Sequence, residues 1–155
     1  MTKHTSLERI NRDFQRAGIR ARLLEEDDVQ RLPKMRGAYA LIVNLAQEVH
    51  VDRPRNAQRA LPSGWYVYAG SARGPGGIRA RLARHFRKEK RIHWHIDQLT
   101  CASCAQVWAC SIPEGHECDL VEKMIRSELF HTANPGFGSS DCKKCKAHLL
   151  AWRPG

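Results

Sequence analysis

The chain has 155 residues, enough for one domain of ordinary size with a buried core. Hydrophobic residues make up 42% of it, which excludes a disordered tail, and no run is long and apolar enough to span a membrane. A formal net charge of +10 points to a polyanionic partner, and Lys and Arg crowd residues 79 to 91, where Glu89 is the one acid.

The N-terminus, Met-Thr-Lys-His-Thr-Ser-Leu-Glu-Arg, has no apolar signal region, so a reducing cytoplasm is expected. There, six cysteines read as free thiols or metal ligands rather than disulfides. Residues 6 to 17 predict a first helix: Ser6 can cap it, Leu7, Ile10 and Phe14 share a face, and Gly18 can end it. A second short helix is expected over 24 to 32, stopped by Pro33. Gly37 to Leu45 is a strand rich in β-formers, and 48 to 52 is its expected hairpin partner. A polar loop over 53 to 63 follows.

Residues 64 to 70 predict another strand, with Trp65, Val67 and Ala69 alternating against Tyr66, Tyr68 and Gly70. Pro75 and the neighbouring glycines make a turn into a basic helix over 76 to 90. At about 100° per residue, Ile78, Leu82 and Phe86 form an apolar stripe. Arg81 and His85 fall beside and within that stripe, while Arg79, Arg84 and Arg87 point outward. A short helix over 93 to 99, a strand over 105 to 111 and a helix over 117 to 130 complete the ordered part. The tail, 133 to 155, is rich in Gly, Cys and Lys and is expected to be irregular. With no repeat and no low-complexity linker, residues 1–33 read as a helical extension and 34–155 as the main domain, tail included.

Cys101-Ala-Ser-Cys104 and Cys142-Lys-Lys-Cys145 are two Cys-x2-Cys units, a spacing that suits tetrahedral Zn²⁺. The strand over 105 to 111 and the helix over 117 to 130 have similar expected lengths, so the chain would return to the Cys101 and Cys104 end. His148 and Cys118 are alternative ligands, and reduced cysteines with no metal are the competing reading. A structural zinc would pin the tail to the domain.

Gly37-Ala38-Tyr39 on one strand, Tyr68-Ala69-Gly70 on the next, and a helix bearing Arg81 and His85 together resemble the GIY-YIG nuclease superfamily. Both motifs carry alanine for the middle isoleucine, a position that should face the core. Glu117-Cys118-Asp119-Leu120-Val121-Glu122 resembles the superfamily's Glu-x4-Glu element, and Asn134 its later asparagine. The stretches 66–77, 93–97 and 136–142 are similar to one small stand-alone subfamily. The resemblance implies an α/β (α+β) fold with a central, mostly antiparallel three-stranded sheet flanked by helices.

It further implies a metal-dependent endonuclease that hydrolyses phosphodiester bonds of nucleic acid, DNA being the expected partner. In that scheme Glu122 would hold Mg²⁺ or Mn²⁺, and Arg81 would contact the scissile phosphate. Tyr39 would activate the attacking water with Tyr68 close by, and His85 would assist proton transfer. Arg73, Arg79, Arg84, Arg87, Lys88 and Asn134 are the expected nucleic-acid contacts. His93, His95 and Asp97 fall at the edge of such a site, and Ser139, Ser140 and Asp141 either line its cleft or form a capped turn. Two other functions compete: a non-cleaving nucleic-acid-binding module, and a zinc-stabilised interaction protein.

Overall fold

A computed structural model describes residues 2–52, 60–139 and 142–154. The elements in chain order are α1 (Lys3–Arg16), α2 (Glu26–Val29), β1 (Gly37–Leu45), β2 (Val49–His50), β3 (Ala60–Leu61), β4 (Gly64–Ala72), α3 (Gly77–Phe86), α4 (Asp97–Thr100), β5 (Ala105–Pro113), α5 (Glu117–Arg126), β6 (Phe130–Thr132) and β7 (Leu149–Trp152). The fold is mixed α/β, as expected. Its antiparallel sheet has five strands, in the order β5-β1-β4-β7-β6, rather than three.

The extra strands come from segments expected to be helix or loop. Leu149 to Trp152 is apolar enough to enter the sheet, where it pairs Tyr68 with Leu149 and Tyr66 with Ala151. Phe130, expected in a helix, starts β6 because α5 stops at Arg126 and Glu128 turns the chain with φ 62. The segment 48–52 does not pair with β1. Val49 and His50 instead join Leu61 and Ala60 in a small second sheet. Most of the polar loop, 53 to 59, lies outside the described residues.

β1 is buried along all nine residues, which fits its apolar run from Ala38 to Val43. Its two faces feed two cores. Leu41 and Val43 pack with Ile78 and Leu82 of α3 and Leu99 of α4. Ala40 and Ile42 pack with Ile10 and Phe14 of α1 and with Leu120 and Met124 of α5. So α1 lies against the sheet, and Trp152 Nε1 donates to Asp13 Oδ2 at 2.8 Å. α1 begins at Lys3, earlier than expected, because the Thr2 hydroxyl accepts the Thr5 N–H. The basic helix ends early, at Phe86. Lys90 Nζ turns back onto the Arg84 and His85 carbonyls at 3.0 and 2.9 Å, satisfying the helix end. Among the described residues, no helix is long and apolar enough to cross a membrane.

Candidate functional site

β1 and β4 run antiparallel with Tyr39 opposite Gly70. The missing Cβ of Gly70 lets the Tyr39 ring lie across that strand, and any side chain there would collide with it. The phenol meets His85 Nε2 of α3 at 2.7 Å, and His85 is fully buried. Burial lowers the His85 imidazole to about 3, with Lys90 adding to the effect and Asp97 opposing it, so this ring is neutral. Its Nδ1 is buried with no partner among the described residues. An orphaned acceptor costs less than an orphaned N–H, so the proton belongs on Nε2, which donates to Tyr39 Oη. The tyrosine's own O–H is then directed elsewhere. Burial, helped by Tyr68 and opposed by Arg81, pushes the Tyr39 phenol far above its usual value. Tyr68 is pushed up to about 12 by burial and Asp97, against Arg81. Its ring rests on Gly138, whose φ of +70° and bare Cα suit glycine alone.

Arg81 is held by stacking. Its guanidinium lies 4.5 Å from the Trp94 ring centre, and that of Arg84 lies 4.3 Å from the same ring. Arg84 in turn grips the buried Asp97 with two bonds of 2.8 Å. Asp97 also accepts the His93 and Trp94 N–H groups at 2.9 Å. Burial alone would raise this carboxyl, but the Arg84 bond and those two N–H groups outweigh it and hold it down to about 2. Asp97 is thus a fastener for Trp94 and its two arginines. His95 is also a fastener: its Nδ1 accepts the Gly138 N–H at 3.0 Å, beside Phe137.

These groups border a cleft of about 570 Å³. Tyr39 and Tyr68 line it from the sheet, Arg73 from just after β4, Arg81 from α3, Trp94 from the segment between α3 and α4, and Glu117 from the start of α5. Cys142, Lys143, Lys144 and His148 close it from the C-terminal loop. The expected carboxylate, Glu122, is elsewhere. It is exposed, pairs with Arg126 at 2.8 Å and borders a different groove. Glu117 takes the place by the cleft, and its Oε2 is shut from solvent with no partner among the described residues. The helix phase explains the exchange. Leu120, Val121 and Met124 are the buried face of α5, and Glu117 stands three and four residues before the first two, on that face. Glu122 stands off it.

The expected nucleic-acid contacts divide in the same way. Arg73 reaches the cleft while donating to the Gly115 carbonyl at 3.0 Å and to His116 Nδ1 at 2.7 Å. Arg79 on α3 and Arg87 just past its end are exposed but outside the cleft lining. Arg84 turns inward to Asp97 rather than outward, because a buried carboxylate needs a partner. Lys88 donates to the Ala102 and Ala105 carbonyls. Asn134 is fully buried, its carbonyl accepting the Phe137 N–H at 2.9 Å, so it forms a turn rather than a contact surface. Ser139 is buried and donates to the Lys146 carbonyl, while Ser140 and Asp141 lie outside the described residues. Trp94, Glu117, Lys143 and Lys144 were not expected at the site.

A second group of side chains adjoins the cleft, which two of them, Cys142 and His148, line. One ligand atom from each of Cys118, Cys142, Cys145 and His148 falls within 4.8 Å of all the others, a set that could hold a metal ion such as zinc. Cys118 Sγ lies 3.6 Å from Cys142 Sγ and 4.0 Å from His148 Nε2. Zn–S bonds of about 2.3 Å set tetrahedrally place two sulfurs roughly 3.8 Å apart, so the spacing fits. The Cys145 N–H points at Cys142 Sγ at 3.4 Å, the kind of outer bond that orients a metal-bound thiolate. Cys101 and Cys104, expected in this set, do not belong to it. Cys104 precedes the end of β5 that pairs with Leu45, and α5 starts beyond the end that pairs with Gly37. A nine-residue strand, roughly 27 Å, therefore separates Cys104 from Cys118. Both alternatives, Cys118 and His148, take their places.

The chain belongs to the family described as "Domain of unknown function DUF123", which it matches over residues 38–154. No curated protein and no solved structure is significantly similar to it.

Proposed function

We propose that the protein is a metal-dependent endonuclease hydrolysing phosphodiester bonds of nucleic acid, DNA in the first instance, as the resemblance to the GIY-YIG superfamily implies. One observation carries the reading: two tyrosines, an arginine and a carboxylate converge on one cleft from β1, β4, α3 and α5. A binding module would use the cations, but it has no need for a buried carboxylate oxygen that finds no partner among the described residues beside them.

Glu117 takes the role expected of Glu122. A hard cation such as Mg²⁺ or Mn²⁺ fits there, because it prefers carboxylate and water oxygens and would satisfy the orphaned Oε2. When bound, such an ion supplies Lewis acidity, acidifying the attacking water and offsetting charge on the phosphorane. Arg81, seated over the Trp94 ring, presents its donor fork to the phosphate oxygens. Tyr39 rests as a neutral phenol, backed by the His85 Nε2–H, and orients the attacking water through Oη. Neutral His85 is a fixed donor to Tyr39 rather than a base titrating near neutral pH. The three-thiol, one-imidazole set suits a closed structural Zn²⁺ site that ties the C-terminal loop to α5.

The test is nicking of supercoiled plasmid with Mg²⁺ or Mn²⁺. Glu117→Gln and Arg81→Ala are expected to lower the rate about 100-fold or more, the scale of losing one charge-stabilising group. Glu122→Gln is expected to cut at the wild-type rate. Cleavage that survives Glu117→Gln but not Glu122→Gln overturns the assignment. DNA binding without cleavage under either metal would favour the binding module.

A further inference from the structure

We infer that the Cys142–Cys145 loop is a metal-assembled phosphate-binding element of the cleft, with Lys143 and Lys144 as its contacts to a nucleic-acid backbone; this rests on the nuclease reading above. Both lysines are exposed, and both line the same cleft as Arg73 and Arg81. They sit between two candidate ligands, in a Cys-x2-Cys turn one residue wide on either side of the pair. Four cations thus face one carboxylate, Glu117, across this cleft. That balance suits a substrate bringing several phosphates better than a small neutral ligand.

The metal's part follows from where the candidate ligands lie: Cys142 and Cys145 flank the two lysines, and Cys118 belongs to α5. Among the described residues, Cys142 N–H bonds the Ser139 carbonyl and Gly136 N–H the Lys146 carbonyl, while the firmer ties come at His148, whose N–H bonds the Phe137 carbonyl and whose own carbonyl accepts the Ala69 N–H of β4. A long lysine side chain on a loose loop gives up much of its attraction as ordering entropy. With Cys142 and Cys145 bound to one ion, and Cys118 anchoring that ion to α5, the dipeptide between them is fixed at the rim. Lysine is suited to this task because its ammonium is a point charge on a flexible stem, able to meet phosphates of varied geometry. Cys118 is adjacent in sequence to Glu117, so the same helix end carries the anchor of the loop and the carboxylate of the cleft.

The experiment reads binding apart from cleavage. Fluorescence anisotropy of a fluorescein-labelled DNA duplex is measured against salt concentration without added Mg²⁺ or Mn²⁺, alongside zinc content by elemental analysis. Lys143→Gln/Lys144→Gln is expected to keep about one zinc per chain, since neither lysine is a ligand. Its log–log salt slope should fall by about 1.8, the value for two lost duplex phosphate contacts. Cys118→Ser removes no charge from the rim, but should lose the zinc and show a similar fall. A wild-type slope in the double lysine variant overturns the inference. So does a zinc-free Cys118→Ser protein that binds as wild type. Arg73→Gln/Arg81→Gln separates the two levels. If it weakens binding while the lysine variant does not, only the loop's role fails. If neither weakens it, the cleft is not the nucleic-acid site, and the nuclease reading falls too.

Discussion

His85 gives the fold a calculable weakness toward acid. In the unfolded chain its imidazole titrates near 6.5, while in the fold burial first, then Lys90, hold it to about 3. The folded value is the depressed one, so the stability it confers is complete above pH 6.5 and drains away as pH falls toward 3. At pH 5 the unfolded chain has taken up the proton and the folded one has not. The gap of about 1.5 pH units between 6.5 and 5, at 1.36 kcal/mol per unit, costs about 2 kcal/mol relative to pH 8. Asp97 does not contribute in that window, because its own depression lies between 3.8 and about 2. Urea denaturation at pH 8, 6.5 and 5 measures the loss, and the same series on His85→Phe isolates the share of this residue. The variant is expected to be less stable at pH 8, having lost the Tyr39 bond, but to lose about 2 kcal/mol less on acidification. Parallel losses of stability in the two proteins between pH 8 and 5 would mean that His85 is not held neutral in the fold.

Gly70→Ala forces a methyl group into the Tyr39 ring, which should cost about 1–3 kcal/mol by urea denaturation and displace the phenol from the cleft. Its nicking rate should therefore drop even where the variant remains folded. Arg84→Leu leaves the fully buried Asp97 carboxylate without its cation, an expected loss of about 3–5 kcal/mol in the same assay. Arg84→Lys, which keeps the charge but not the fork, should recover part of it. Cys101→Ser/Cys104→Ser should retain its zinc, whereas Cys145→Ser or His148→Ala should not. Elemental analysis after purification without added zinc decides between the two cysteine pairs.

The sheet centre was legible because β1 and β4 are long, apolar and bounded by glycines at 37 and 64. So was the inward lean of His85 and Arg81, which follows from helix phase and the Ile78 and Leu82 stripe. Applied to α5, the same phase distinguishes Glu117 from Glu122. Family spacing alone selects the second carboxylate, while the Leu120–Val121–Met124 face selects the first. Pairing Cys101 with the tail followed strand and helix lengths, which track one path out and back. It could not show that 142–148 fold back toward the start of α5. A local signal was present, since Cys142, Cys145 and His148 recur every three residues. Arg84 misled for a different reason. An outward helical phase says nothing of a buried carboxylate thirteen residues on, and Asp97 draws the side chain inward.

The position of β7 has a consequence for how the chain is made. Leu149–Trp152 lies between β4 and β6, two strands that precede it in sequence and do not pair with each other. Until residue 149 leaves the ribosome, β4 keeps a bare edge along Tyr66, Val67 and Tyr68, and β6 has no strand to join. An apolar strand with an open edge is a template for pairing with other chains. The nascent protein is therefore most prone to aggregate during the interval in which residues 73 to 148 are being added. A stop codon between 73 and 149 would make that exposed state permanent.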